Sequence, residues 1–187
     1  MKKPNDYDNA AIATGQDSSQ LPKGGYICKI VSCKAETVNN KDRLVVAFDI
    51  AEGEYAGYYK QKFDADTRAE KKWRGTYRVF VQKNDGSTNP FFKGFITSVE
   101  ASNKGYIFNW DESTLNDKLF GGLFSIEEYI GSDLNVRSTT RCNMAVSTET
   151  VKLGKYTLPK DVLVEKKSNE SFYEIETKDS GEDDLPF

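Results

Sequence analysis

Apolar residues recur at every second position through much of this chain. The clearest run is 43–51, where Leu44, Val46, Phe48 and Ile50 form one face of a strand half-buried against a core. An earlier strand opens after Pro22-Lys23-Gly24-Gly25, with Tyr26, Cys28 and Ile30 alternating with Ile27, Lys29 and Val31. The polar stretch Asn39-Asn40-Lys41-Asp42 joins the two. Glu52 to Gly57 reads as a turn, and a further strand is expected over 58–64. Over 76–83, Tyr77, Val79 and Val81 face one way and Arg78, Phe80 and Gln82 the other.

The period then changes. Asn89-Pro90 supplies an N-cap and a first-turn proline, and Phe91, Phe92, Phe95, Ile96 and Val99 follow at helical spacing until Asn103-Lys104-Gly105 stops the helix. Strands return over 118–130, where Gly121-Gly122 signals a bulge or a barrel corner, and over 136–147. In the latter, Ser138, Thr140, Cys142, Met144 and Val146 oppose Arg137, Thr139, Arg141 and Asn143. A last hairpin around Gly154-Lys155-Tyr156 would close the domain near Val164. The expected fold is mainly β: an OB-type, partly open five-stranded barrel with one inserted helix and a disordered acidic tail. The strand pattern alone also fits an SH3-like barrel or another α+β roll. The organisation expected is a mobile arm over 1–22, one domain over 23–164, and an acidic linker and tip over 165–187.

Composition refines this picture by region. The 187 residues carry a formal net charge of −3, but the charge is unevenly spread. Residues 165–187 hold eight acids and three bases, whereas 60–83 hold eight bases and three acids. In the basic segment aromatics are interleaved with cations: Tyr58, Tyr59, Lys60, Lys62, Phe63, Arg68, Lys71, Lys72, Trp73, Arg74 and Arg78. Single-stranded nucleic acid suits this mixture. Bases stack on rings for about 1–3 kcal/mol each, and cations neutralise phosphates and release counterions. The candidate contacts are Tyr59, Lys60, Lys62, Lys71, Lys72, Trp73, Arg74 and Arg78, joined by Arg137 and Arg141 from the polar side of the last strand. The same pattern also fits rings in the core beneath a solvated basic face.

Enzyme chemistry has little to work with. The chain has no histidine, no phosphate-binding loop and no dinucleotide fingerprint. Asp64 with Asp66, or Glu52 with Glu54, could hold a divalent cation for phosphodiester cleavage, but such spacing is common on exposed strands and turns. The three cysteines show no metal-ligand spacing, and Cys28 and Cys33, five apart, are expected on opposite strand faces. No cofactor is expected. No window reaches the about 18 apolar residues of a membrane span, and 1–20 lacks the apolar run of a secretion signal. A cytoplasmic protein is therefore expected.

The chain finishes Glu182-Asp183-Asp184-Leu185-Pro186-Phe187: three carboxylates running into an apolar hook. An acidic tether cannot fold onto a core, yet a partner with an apolar pocket and a basic rim could capture its tip through Asp183, Asp184, Leu185, Pro186 and Phe187. This string resembles the C-terminal tip of bacterial single-stranded-DNA-binding proteins. Three further stretches resemble a phage and mobile-element branch of that family: Leu21 to Ile30, Phe48 to Tyr55, and Gly105 to Asp111, the last leading into Leu115 and Lys118 to Gly121. The N-terminal strand pattern and the Gly/Pro/Gln-rich linker of the cellular members are absent, so only the tip residues carry over. The resemblance implies a non-enzymatic protein of a bacterial host cell, with a homo-oligomer as one of its candidate states. It would bind single-stranded DNA in replication or recombination and recruit partner enzymes through the tip. The alternative is a phage factor that mimics the tip to divert or inhibit host enzymes.

Overall fold

A computed structural model of the chain describes residues 20–164. Five strands form one antiparallel sheet in the order β3-β2-β1-β4-β5: β1 Gly24–Val38, β2 Lys41–Ile50, β3 Thr76–Phe80, β4 Leu119–Ile130 and β5 Val136–Val146. The edge strands β3 and β5 are not joined by a ladder, so the sheet is not closed into a barrel. Three helices accompany it, α1 Tyr58–Asp64, α2 Pro90–Ser102 and α3 Thr148–Lys152, with a 3₁₀ turn at Glu112–Leu115. Among the described residues no helix is long and apolar enough to cross a membrane.

β1 and β2 form a hairpin whose two turn residues, Asn39 and Asn40, both take positive φ, the conformation a tight hairpin needs and asparagine tolerates. The alternation read in β2 is the one observed: Leu44, Val46, Phe48 and Ile50 are buried. They meet Cys28, Ile30, Phe120 and Phe124 from the neighbouring strands. Helix α2 also forms where expected. Asn89 caps it by accepting from the Phe91 amide at 2.9 Å, and Phe92, Phe95 and Val99 enter the core.

Four expectations are corrected. Residues 58–64 are helix, not strand, because Tyr59 and Phe63 lie four apart on one face and the helix start is anchored from β2. Cys28 and Cys33 are both buried on the core side, because the β1–β2 register shifts between Ile30 and Ser32. That irregularity pushes Val31 out to solvent and restores the alternation one residue later. The register shift in β4 falls between Leu123 and Phe124, just beyond the paired glycines. Gly121 and Gly122 instead permit close approach: a Cβ on Gly121 would lie 2.6 Å from Val151, and one on Gly122 would lie 3.0 Å from the Cys142 sulfur. Finally, the region around Gly154 is no hairpin. Ser147 caps α3, and the chain returns along β4 with an isolated parallel bridge between Glu127 and Val162.

The packed unit also reaches back to Leu21, which is 2% exposed. Its amide donates to the Tyr58 hydroxyl at 2.9 Å and its carbonyl accepts from Thr140. One apolar residue thus ties α1, which follows β2, to the edge strand β5.

Candidate nucleic-acid interface

The β1–β2–β3 register places polar and apolar side chains in rows across the outer face of the sheet. Lys34, Val45 and Arg78 stand side by side in one row, Glu36, Arg43 and Phe80 in the next. Ser32, Ala47 and Thr76 form a third. These positions alternate with core residues, so they point away from the core. Lys34 and Arg78 are exposed, while Val45, Ala47 and Phe80 are half-buried. The Arg43 guanidinium lies 5.6 Å from the Phe80 ring centroid and its Nε donates to Glu36 at 2.7 Å. The result is a shallow apolar strip rimmed by cations. Lys34, Lys72, Arg74 and Arg78 make no ion pair with any described residue, which leaves their charge for an anionic ligand.

Helix α1 starts beside the Asp49 end of this face and packs its rings against the core. It starts after Gly57, which has φ 75°, and has no side-chain cap of its own. Asp49 on β2 supplies one: its carboxylate accepts from the Tyr59 amide at 2.9 Å and the Lys60 amide at 3.1 Å. Negative charge at a helix start is favourable, and two otherwise orphaned donors are satisfied. The helix then projects Lys60 and Lys62 to solvent. Lys60 pairs with Asp64 at 2.7 Å, and the Lys62 ammonium sits 4.6 Å from the Tyr58 ring centroid.

The aromatics of the segment divide into two kinds. Tyr59 is 7% exposed, edge-on to Phe48 at 5.5 Å, and burial raises its phenol pKa well above the ordinary value. It is a core residue and offers no face to a base. Trp73 is half-buried, tilted against Phe63 with centroids 5.6 Å apart, and Lys71 lies 5.7 Å from the Phe63 centroid. The Trp73 indole N–H donates to the carbonyls of Phe48 at 3.0 Å and Gly75 at 3.1 Å. There the indole continues the ladder: the Phe48 amide already donates to Gly75 O at 2.8 Å, and the carbonyl beside it receives the indole. Gly75 must be glycine for this approach, since a Cβ would lie 2.3 Å from Phe48 O and 2.7 Å from the Tyr59 ring. Trp73 therefore joins α1 to the sheet while keeping part of its ring accessible.

Arg137 and Arg141 lie on β5, at the other edge of the strand order, and each has an acidic partner: Asp133 at 2.8 Å and Glu127 at 3.1 Å. No hydrogen bond, ion pair or ring contact links them to the basic band among the described residues. The tip residues Asp183, Asp184, Leu185, Pro186 and Phe187 lie outside the described residues. Of the acid pairs, Asp64 is paired with Lys60, Glu52 with Lys152 at 3.6 Å, and Asp66 with Arg68, whose hydrogen bonds hold its carboxyl well below the usual range. Among the described residues no three His, Cys, Asp or Glu side chains are grouped to hold a metal ion.

Sequence reasoning missed Lys34, Arg43, Val45 and Phe80. They come from three strands and meet only through the register. The one available signal was that Arg43 and Phe80 fall on the polar side of their own strands. No family model matches the chain, and a search of the curated proteins finds no match.

Proposed function

We propose that this chain is a non-enzymatic single-stranded-DNA-binding protein that coats exposed strands during replication or recombination. The observation that carries the reading is the outer β1–β2–β3 face, where an apolar strip with Phe80 is rimmed by Lys34, Arg43 and Arg78, while the segment leading into β3 adds Lys71, Lys72, Trp73 and Arg74. Such a surface offers stacking without base readout and phosphate contacts without a fixed sequence. The strand order supports an OB-type barrel: a three-stranded meander, a helix between β3 and β4, then a β4–β5 hairpin paired back onto β1. In that reading β3 and β5 would be the closing neighbours, and Arg137 and Arg141 would flank the groove. The tip over 183–187 would recruit replication and recombination enzymes, and a bacterial host cell infected by a phage or carrying an integrated element is the setting that its sequence suggests.

The test is binding of the full chain to oligo(dT) across a salt series. On single strands log K should fall by about 0.7 per phosphate contact for each decade of salt. Absence of binding at low salt would overturn the reading and leave the tip-mimicking interaction protein. Metal-dependent cleavage of the oligonucleotide would replace it with a nuclease.

A further inference from the structure

Trp110 is 75% exposed and held at φ 69°, a backbone region that bulky residues rarely occupy. Neither property helps the fold: the strain costs stability, and an exposed indole forgoes burial. Yet the ring is firmly supported. It leans on Phe108, with centroids 5.7 Å apart, and on Phe92 at 6.2 Å, and Phe92 is itself in the core. The loop beneath is pinned by Phe108 N donating to Glu100 at 3.0 Å, by the Tyr106–Thr114 hydroxyl pair at 2.9 Å, and by Asp111 N donating to Asn109 at 3.2 Å. Ile107, 80% exposed, and Phe91, 47% exposed, are the chain neighbours of Phe108 and Phe92.

The shelf of Trp110, Phe108 and Phe92 adjoins the end of the candidate interface. Phe80 is followed by Val81, whose amide donates to Asp42 O and whose carbonyl accepts from Asn89 N, both at 2.9 Å. Asn89 caps α2, and the first turn of α2 carries Phe91 and Phe92. Lys41 and Lys93 belong to the β1–β2 turn end and this first turn, beside Arg43 and Lys83, which pair with Glu36 and Asp85, and the helix start adds partial positive charge. An anionic strand leaving Phe80 meets these cations next, with an exposed aromatic face beyond them.

We propose that Trp110 is a second base-stacking station, which takes a nucleobase of a single strand after it has crossed the β2–β3 face. This rests on the reading of the chain as a single-strand binder. It implies two strand lengths with different demands: a short oligonucleotide is held on the sheet and α1, and a longer one also reaches Trp110.

The experiment uses the full chain carrying 5-fluorotryptophan, with the two resonances, Trp73 and Trp110, assigned through Trp110→Gly. Oligo(dT) of about 5 and about 15 nucleotides is titrated, bracketing the usual span of one such domain. The longer strand should shift the Trp110 resonance and the shorter one should not. Trp110→Gly should bind the longer strand about tenfold more weakly and the shorter one equally well. Its melting temperature should stay level or rise, because glycine relieves the positive φ. If the wild type binds both strands but the Trp110 resonance is still and Trp110→Gly binds equally, the inference fails and the single-strand reading stands. A change in oligomeric state with unchanged affinity would make the shelf a contact between copies and overturn it. No binding by the wild type would remove both.

Discussion

Trp73 has a structural and a proposed binding role, and two substitutions separate them. About two-thirds of an indole's roughly 200 Å² is withdrawn from water here, worth about 3.3 kcal/mol at 25 cal/mol per Å². Trp73→Ala loses that contact with Phe63 and also leaves the Phe48 carbonyl without the indole donor, about 1 kcal/mol more. For a unit of this size each kcal/mol moves the melting temperature by roughly 3 °C, so about 13 °C should be lost. Trp73→Phe keeps a ring against Phe63 and forfeits only the N–H, so its loss should be about 3 °C. Affinity for oligo(dT) should follow the ring: Trp73→Ala weakens binding by about 1–3 kcal/mol, while Trp73→Phe stays within a few-fold of wild type. Scanning fluorimetry and fluorescence anisotropy on the same samples, well below the melting transitions, give both quantities. A loss of about 13 °C with unchanged affinity in Trp73→Ala would make the ring purely structural and remove the stacking anchor from the basic band.

Asp49→Ala should lower stability by about 1–2 kcal/mol, read as a fall of about 3–6 °C in melting temperature, since it uncaps α1 at Tyr59 and Lys60. Arg78→Glu should weaken oligo(dT) binding about tenfold and flatten the salt slope. Arg141→Glu should weaken it less, because Glu127 already neutralises that arginine; an equal or larger effect, measured by anisotropy, would move the centre of the interface to β5. Burial pushes the Cys33 and Cys142 thiols from their ordinary 9.0 up to about 12, and Cys28 also rises. The unfolded chain ionises first, so this stabilisation is complete below pH 9 and is lost as pH climbs towards 12, a loss that urea titrations at pH 8 and 10.5 should detect.

What could be read in the sequence depended on how local the cause was. The β2 alternation and the Asn89-Pro90 start of α2 are written in neighbouring residues, and both elements formed where expected. Helix α1 was legible only as a strand, because seven residues of mixed rings and lysines satisfy either period, and the deciding cap comes from Asp49, ten positions earlier. The bulge that turns Cys33 inward carries no residue signature at Ile30-Val31-Ser32. The basic band at 60–83 was visible as composition, but composition could not tell Tyr59, which is core, from Trp73, which is half-buried. Lys34 and Phe80, 46 positions apart in the chain, share a face only through Val45 and Arg43 on the strand between them.

The tail supplies the last prediction. Val164, the final described residue, is held by its amide to Glu128 at 3.1 Å, near the exposed end of β4. The segment 165–187 can span at most about 80 Å, enough to reach any face of a domain this size. Its eight acids against three bases make it a weak competitor for Lys34, Lys72, Arg74 and Arg78 while no nucleic acid is present. Deleting 183–187 should therefore leave oligo(dT) affinity equal or slightly higher, with any gain confined to low salt, where screening is weak. The same deletion should abolish capture of replication and recombination enzymes, since the apolar hook and the adjacent carboxylates are lost together. Phe187 should dominate that contact: an aromatic seated in a pocket is a typical hot spot, and its removal costs about 2 kcal/mol or more. Calorimetric titration of a synthetic 179–187 peptide, with and without Phe187, against such enzymes reads this directly. If the intact peptide binds none of them, the tip is only a solubilising tail, and recruitment drops out of the proposed function while the basic face stands or falls on its own binding data.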